Sequence, residues 1–390
     1  MKSKTAFLTT AATLALFGAA NGQVVIDITG STAGRSTVHA QIQALLTGES
    51  FGYYMVNGST QGAAGSADSV IYKGGTLLVG GVQVPVTVRT FWAGSASGVD
   101  YVSNQVQLDN KFLATTVSVN GQQIPGNQAA LIANGSLAPA SAETVSEFGF
   151  SDVKQAATTH QSSPLAEQTD MFVIPFKWVR TETLTGVSNI TDQMVRAMYT
   201  AGGETPKSLF TGVAADSTSF VYSVGRDNDS GTRITALAET GAGAFSILTQ
   251  WGFTTAGSGT TVTLSSPTEL FDGGYASGGS VATILGGTGF NAIGYVGISD
   301  ATNAINNFGV ELTFNGVPFS VANVKNGSYT FWSKYQAIRK QTLTGPAASL
   351  FASLKTSLIN LPTVDPVGTT VKLTDMAVDR AADGADVLPK

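Results

Sequence analysis

The chain has 390 residues, of which 43% are hydrophobic and only 12% charged, with a net charge of −5. That length allows two domains and a large core, while the charged fraction is about half of the roughly 25% typical of soluble domains. An acidic balance without a basic block speaks against nucleic acid or an anionic membrane as partner, and the lack of cysteine excludes disulfides, thiolate metal sites and a lipid-attachment cysteine.

Residues 1–22 read as a secretory signal peptide: Lys2 and Lys4, an apolar run from Ala6 to Phe17, then small residues, with cleavage after Ala20 or Gly22. The run is too short for a bilayer span, and no other long apolar stretch occurs. Removing the two lysines takes Lys plus Arg from 21 to 19 and the net charge to −7. The mature chain is therefore expected in the periplasm or outside the cell, without a transmembrane segment.

Four segments then share one shape: an apolar strand, a turn of Gly, Ser and Thr, and a helix-like stretch. In the first, "VVIDIT" (24–29) leads through "GSTAGRS" to a helix with Val38, Ile42, Leu45 and Leu46 on one face and Gly48 as its stop. In the second, Val84, Val86 and Val88 alternate as in a strand before "AGSASGVDYV". The third is "SEFGFSDVKQAA" (146–157). In the fourth, Phe220, Tyr222 and Val224 alternate, "GRDNDSGTR" (225–233) follows, and Ile234, Leu237 and Ala238 mark a helix face ending at Gly241. Repetition of this unit predicts α/β architecture, with the four turns beyond the strand C-termini, where open α/β sheets bind ligands. Residues 54–83, with a hairpin inside them and the following strand, and roughly 101–145 read as insertions. Further turns are expected at Asn315-Gly316 and Asn326-Gly327, and a late amphipathic helix over 345–362.

The two histidines, His39 and His160, offer no metal or catalytic constellation: His39 reads as a packed or surface imidazole and His160 as a loop residue. HExxH is absent, so neither a metal nor a cofactor is expected, and enzymatic chemistry, phosphatase activity included, is disfavoured. Hydroxyls and free N–H groups at helix starts can hold a tetrahedral oxyanion, although Ser and Thr also serve as plain N-caps. Asp152 would repel an anion unless the anion carries a proton, as phosphate does and sulfate does not near neutral pH; its alternative role is an N-cap on a following helix.

Taken together, these turns resemble those of the phosphate-binding proteins of bacterial ABC phosphate importers, in the type 2 periplasmic-binding-protein superfamily. "GRDNDSGTR" carries the strongest likeness, through Arg226, Ser230, Gly231, Thr232 and Arg233, with Asp229 where glycine is usual and Asn228 where an acidic partner of the arginine is often found. "ITGSTAGRS" is similar to the first phosphate loop and implies Ser31 and Thr32 as donors, although it lacks the usual Thr-Phe pair and has Arg35 nearby. "GSASGV" implies Ser95, and "FGFSDV" implies the proton-reading Asp152. Weaker likenesses lie in "GVSNITDQMVRAMYTAG" (186–202), "GFNAIGYVGISDA" (289–301) and "VKNGSYTFW" (324–332). The motifs run from about residue 26 to 335 in the family's order.

The resemblance implies a two-lobed α/β fold with the ligand cleft between lobes joined by two crossing strands. The first lobe would comprise 23–174 and 299–390, and the second 175–298. It implies a monomeric, non-enzymatic receptor for inorganic phosphate, with an ABC importer as partner. Ser31, Thr32, Ser95 and Asp152 would bind from one lobe, and Arg226, Ser230, Gly231 and Thr232 from the other. The long insertions leave open a relative that binds another oxyanion or serves as an extracellular adhesive or matrix protein.

Overall fold

Runs of Val, Ile, Thr and aromatic residues build one large sheet. The computed structural model describes residues 23–54, 67–108, 111–119, 145–258, 261–361 and 369–390; the expected leader, much of the segment before the hairpin and most of the second insertion lie outside them. The main strands are β1 (Val24–Gly30), β2 (Ser50–Tyr54), β3 (Ser69–Val79), β4 (Val82–Trp92), β5 (Phe148–Ser151), β6 (Glu167–Arg180), β7 (Glu204–Pro206), β8 (Phe220–Val224), β9 (Ala292–Gly297) and β10 (Trp332–Arg339). They lie in the order β2-β3-β4-β1-β5-β10-β6-β9-β8-β7.

The neighbours β4, β1 and β5 run parallel, so their C-terminal ends face the same way. On the other side, β9 and β8 are also parallel. Strand β6 joins the two groups. Its residues Glu167–Pro175 pair with β10, and Phe176–Arg180 pair with β9. Met171, Phe172, Val173, Phe176, Trp178 and Val179 are all buried, as the apolar character of this stretch apart from Lys177 requires. Phe150, Tyr335 and Phe172 stack across β5, β10 and β6, with centroids 5.9 and 4.8 Å apart.

The helices that bear on the site are α1 (Arg35–Leu45), α2 (Ser95–Ser103), α3 (Asp192–Thr200), α4 (Gly231–Glu239), α5 (Gly278–Leu285), α6 (Ile298–Asn307) and α7 (Gly345–Ile359). Helix α7 buries Leu350, Phe351, Leu354 and Leu358, a stripe at helical spacing. The hairpin expected near residue 80 forms between β3 and β4. The turn at Asn315-Gly316 also forms, closed by reciprocal Phe314–Val317 backbone hydrogen bonds of 3.0 Å.

The turn expected at Asn326-Gly327 also forms, after a short helix, Val321–Lys325. Two local expectations change. Helix α1 stops at Leu45, three residues before Gly48. The third segment has no α-helix after its strand: only the 3₁₀ turn Gln155–Ala157 follows β5. Lys154 is extended, its N–H donates to Asp383 Oδ2 at 2.8 Å, and the Gln155 N–H donates to Gln168 Oε1 at 2.8 Å. Partners distant in sequence have taken the donors that a helix start would present.

A buried ionic cluster fixes the register of the parallel strands. Arg89 on β4 makes two bonds to Asp27 on β1, of 2.7 and 2.6 Å. The Asp27 N–H donates to Glu147 Oε2 at 2.6 Å, just before β5. Burial and the neighbouring Asp27 carboxylate push the Glu147 pKa up from 4.5 to about 8. A carboxyl whose pKa is raised on folding stabilises fully below its unfolded value, and that contribution is lost as pH rises to the folded value. Denaturant unfolding of the wild type is therefore expected to lose a few kcal/mol between pH 4.5 and 8 from this group. Glu147→Gln, which can still accept the Asp27 N–H, should flatten that slope. An unchanged slope would show that Glu147 is ionised in the native protein.

His39 is a packed imidazole. It accepts a hydrogen bond from Trp92 Nε1 at 2.8 Å and meets the Tyr72 hydroxyl at 2.5 Å. The accepting Nε2 leaves the proton on Nδ1, and burial depresses the pKa to about 3, so the ring is neutral. His160 lies in a loop, with Nδ1 3.0 Å from Asp100 Oδ1.

Candidate functional site

Strands β1, β4 and β5 each deliver one polar turn at their shared C-terminal end, and β8, which runs opposite to them across β10 and β6, brings a fourth to meet them. Strand β1 ends in Gly30, followed by Ser31 and Thr32. Strand β4 leads to Ser95, the first residue of α2, and β5 leads to Asp152. From the other group, β8 leads into "GRDNDSGTR" and α4. Ser230 caps α4, its Oγ accepting the Arg233 N–H at 3.4 Å. Ser31, Ser95, Asp152, Arg226, Ser230 and Thr232 are all at most 3% exposed.

Asp152 sits at the junction. The Ser95 hydroxyl donates to its Oδ1, and the Asp152 N–H donates to Ser95 Oγ at 3.0 Å. Its Oδ2 is buried and accepts no hydrogen bond among the described residues. Desolvation raises the Asp152 pKa, opposed by the Ser95 bond, backbone N–H, the Arg226 charge and Ser31. With no α-helix after β5, the Asp152 carboxylate does not act as an N-cap; it stands between the two strand groups, against Ser95 and the first turn of α4.

Facing it is the first turn of α4. A Cβ built on Gly231 would overlap the Asp152 carboxylate and lie 2.6 Å from Ser95 Oγ. Glycine is thus the residue that lets α4 approach both groups. A second close approach lies alongside. The Ala96 N–H donates to the Asp229 carbonyl at 2.9 Å, and Gly94, at φ 117°, would place a Cβ 2.5 Å from that oxygen. The aspartate in a glycine's usual place therefore meets α2 through its backbone.

Arg226 faces the same junction. Its Nε donates to Tyr275 O at 3.0 Å, and its Nη2 donates to Ala276 O at 2.7 Å and to Thr32 Oγ1 at 3.3 Å. Among the described residues it forms no ion pair with a carboxylate. Arg233 turns away: it bonds the Asp272 carbonyl at 2.7 Å and pairs with the Asp272 carboxylate. Asp227 is half-buried, desolvation raises its pKa, and its N–H donates to Tyr275 O at 3.1 Å. Of the eight residues expected, the structure draws Ser95, Asp152 and Gly231 into direct contact and joins Arg226 to Thr32. Ser31 lies close enough to lower the Asp152 pKa. Ser230 serves α4 as its cap, and Thr232 is buried in the same first turn without a direct contact to the others shown.

The sequence does not reveal two further participants, Asp300 and Tyr335, and Arg35, noted beside the first loop, joins them. Asp300, at the start of α6, packs its carboxylate against Gly278 at the start of α5, and the charges of Arg226 and Arg35 oppose its burial-raised pKa. Arg35 donates to Ala67 O at 3.2 Å and lies 3.9 Å from Asp68. The Tyr335 hydroxyl donates to Ser31 O at 3.4 Å. The "GISDA" stretch contains the one readable signal, an aspartate directly after a buried strand. Among the described residues no cluster of His, Asp or Glu is disposed to hold a metal ion.

With this geometry in hand, comparison with known proteins is informative about the fold. No protein-family model and no curated protein sequence matches the chain. Among solved structures, it is similar to a Clostridium perfringens protein assigned as a phosphate ABC transporter substrate-binding protein and solved with bound phosphate. The two are 15% identical, the alignment covers 90% of this chain and 99% of that one, and the TM-score is 0.50. The chain shares that protein's fold. The α/β architecture expected from the sequence is thus the observed one. An ABC-type phosphate transport receptor from Vibrio cholerae aligns over 89% of this chain and 99% of its own, at 13% identity and a TM-score of 0.43. PstS from Borrelia burgdorferi aligns over 90% and 99%, at 13% identity and a TM-score of 0.42. At those scores neither adds to the fold assignment. Among the described residues no helix is long and apolar enough to cross a membrane.

Proposed function

We propose that the protein is a binding protein, not an enzyme, that captures inorganic phosphate for ABC-type uptake after export and removal of residues 1–22. The first lobe would comprise 23–174 and 299–390, the second 175–298, with β6 as one crossing strand. The chain would act as a monomer in the periplasm or outside the cell. Ser31, Thr32, Ser95 and Asp152 would bind the ion from one side, and Arg226, Ser230, Gly231 and Thr232 from the other.

One observation carries this reading: a fully buried carboxylate, with one oxygen lacking a partner among the described residues, stands among oxyanion donors. Hydroxyls, helix-start N–H groups and the Arg226 guanidinium supply what a tetrahedral oxyanion requires. The free Asp152 oxygen is an acceptor, so the ligand it suits carries a proton. Hydrogenphosphate offers P–OH there; sulfate would meet carboxylate oxygen with oxygen, leaving two acceptors unpaired. The phosphate bound in the Clostridium structure agrees with this ligand class.

Titration calorimetry at neutral pH is expected to give 1:1 phosphate binding that excess sulfate does not displace. Tight sulfate binding, or no heat with phosphate, would overturn the assignment and return the scaffold to another oxyanion or to a non-transport role.

A further inference from the structure

The last described segment, residues 369–390, crosses behind the site and touches both of its walls. We propose that its Ala377–Gly384 stretch is a positioning strap, in which Asp383 holds the Asp152 loop and Arg380 holds the far end of α4. This rests on the phosphate reading for its ligand, but not for its contacts.

At the Asp152 wall, Asp383 Oδ2 accepts the Lys154 N–H at 2.8 Å, and Lys154 Nζ donates back to the Ala381 carbonyl at 2.7 Å. Only Val153 separates this clamp from Asp152, whose carboxylate meets α4. Asp383 is half-buried, its pKa pushed up to about 6 by desolvation and by the Asp152 charge, while the Lys154 bond and the Arg380 charge oppose that rise. The two carboxylates therefore feel each other through the loop, one inside the cleft and one behind it.

At the other wall, Arg380 pairs with Glu239, the last residue of α4, and both side chains are at most 5% exposed. The Gly384 N–H donates to Glu239 Oε1 at 3.2 Å. A Cβ on Gly384, whose φ is +72°, would lie 2.7 Å from the Ala238 carbonyl. The N-terminus of that same helix presents Gly231 to Asp152. The strap thus grips α4 by the end opposite to the ligand.

The strap itself is anchored to the sheet. The Arg380 guanidinium stacks 3.7 Å from the centroid of Trp332 on β10, and Nη2 donates to Thr330 O at 2.8 Å. Lys334, also on β10, donates to Arg380 O at 3.2 Å and pairs with Asp379 at 2.6 Å. A group that only closed a surface would not need charged contacts to both the loop and the helix. This placement sets the Asp152-to-Gly231 spacing, and outer supports of this kind decide whether a site is held at its productive geometry.

Asp383→Ala removes the clamp, whereas Asp383→Asn retains an oxygen that can accept the Lys154 N–H. In the full mature chain, the alanine variant is expected to bind inorganic phosphate about tenfold or more weakly, and the asparagine variant within about threefold of wild type. Hydrogen exchange without any added anion supplies the independent readout: Asp383→Ala should speed exchange at 151–155, and Arg380→Met should do so in the last turn of α4, with circular dichroism unchanged. Wild-type exchange at both segments in the variants overturns the strap, as does phosphate affinity unchanged by Asp383→Ala. If the exchange changes appear and even the wild-type protein ignores phosphate, the strap stands and the phosphate reading falls.

Discussion

Arg226→Met is expected to weaken phosphate binding by about 2–5 kcal/mol, roughly thirtyfold to several-thousandfold in affinity. The guanidinium is 3% exposed and held by Tyr275 O, Ala276 O and Thr32 Oγ1, all neutral groups. None of these neutralises it, so an anion arriving at the junction would meet a positioned, desolvated cation that has no carboxylate bonded to it among the described residues. Methionine keeps much of the stem's packing and removes the charge. Loss of the hydrogen bonds to Tyr275 O, Ala276 O and Thr32 Oγ1 should also cost stability, so binding is compared well below the unfolding midpoint of each variant. Arg226→Lys should recover only part of the affinity, since a point charge cannot serve the two carbonyls and an oxyanion through one planar fork. Calorimetry of both variants with phosphate decides it. Wild-type affinity in the methionine variant would remove Arg226 from the site and leave the helix starts alone to hold the ion.

The same stretch shows what a sequence discloses and what it withholds. "GRDNDSGTR" could be read as a helix start because its information is local: alternation before it, a capping serine within it, and an apolar face after it. The structure forms β8, the Ser230 cap and α4 in those places. The division of labour between its two arginines could not be read. Arg233 is occupied by Asp272, 39 residues away, and Arg226 is oriented by carbonyls about 50 residues away. Asp229 looked like an intrusion in a glycine position, yet its contribution to the junction is a backbone oxygen, which any residue supplies. The failed helix after Asp152 has the same origin. Its sequence permits a helix, but Asp383, 229 residues away, claims the Lys154 N–H. Strand–turn–helix units were therefore legible, together with the strand ends that gather polar turns. Contacts that choose between a cap, a ligand donor and a strap anchor depend on chain closure and leave no local pattern.

Asp152→Asn is expected to convert a proton-selective site into a general oxyanion site. In the native protein the carboxylate is fully buried, Ser95 satisfies one oxygen, and the other has no partner among the described residues. Hydrogenphosphate can donate to that oxygen; sulfate places acceptor against acceptor beside a negative charge. The penalty for leaving such a group unpaired is about 1–3 kcal/mol, and larger when the group is charged, so discrimination of roughly a hundredfold or more is expected from this contact. Asparagine removes the charge, and its amide can turn either an oxygen or an NH₂ toward the ligand. Phosphate affinity should therefore fall only modestly, sulfate affinity should rise, and their ratio should drop by about two orders of magnitude. The pH profile supplies a second readout. The raised Asp152 pKa means that acidification protonates the carboxylate earlier than an ordinary aspartate, after which it can donate to sulfate as well. Wild-type selectivity against sulfate should accordingly weaken as pH falls, and the asparagine variant should lack that dependence. Competition calorimetry with both anions at neutral and acidic pH tests the two together; an unchanged ratio in Asp152→Asn would mean that the proton is read elsewhere.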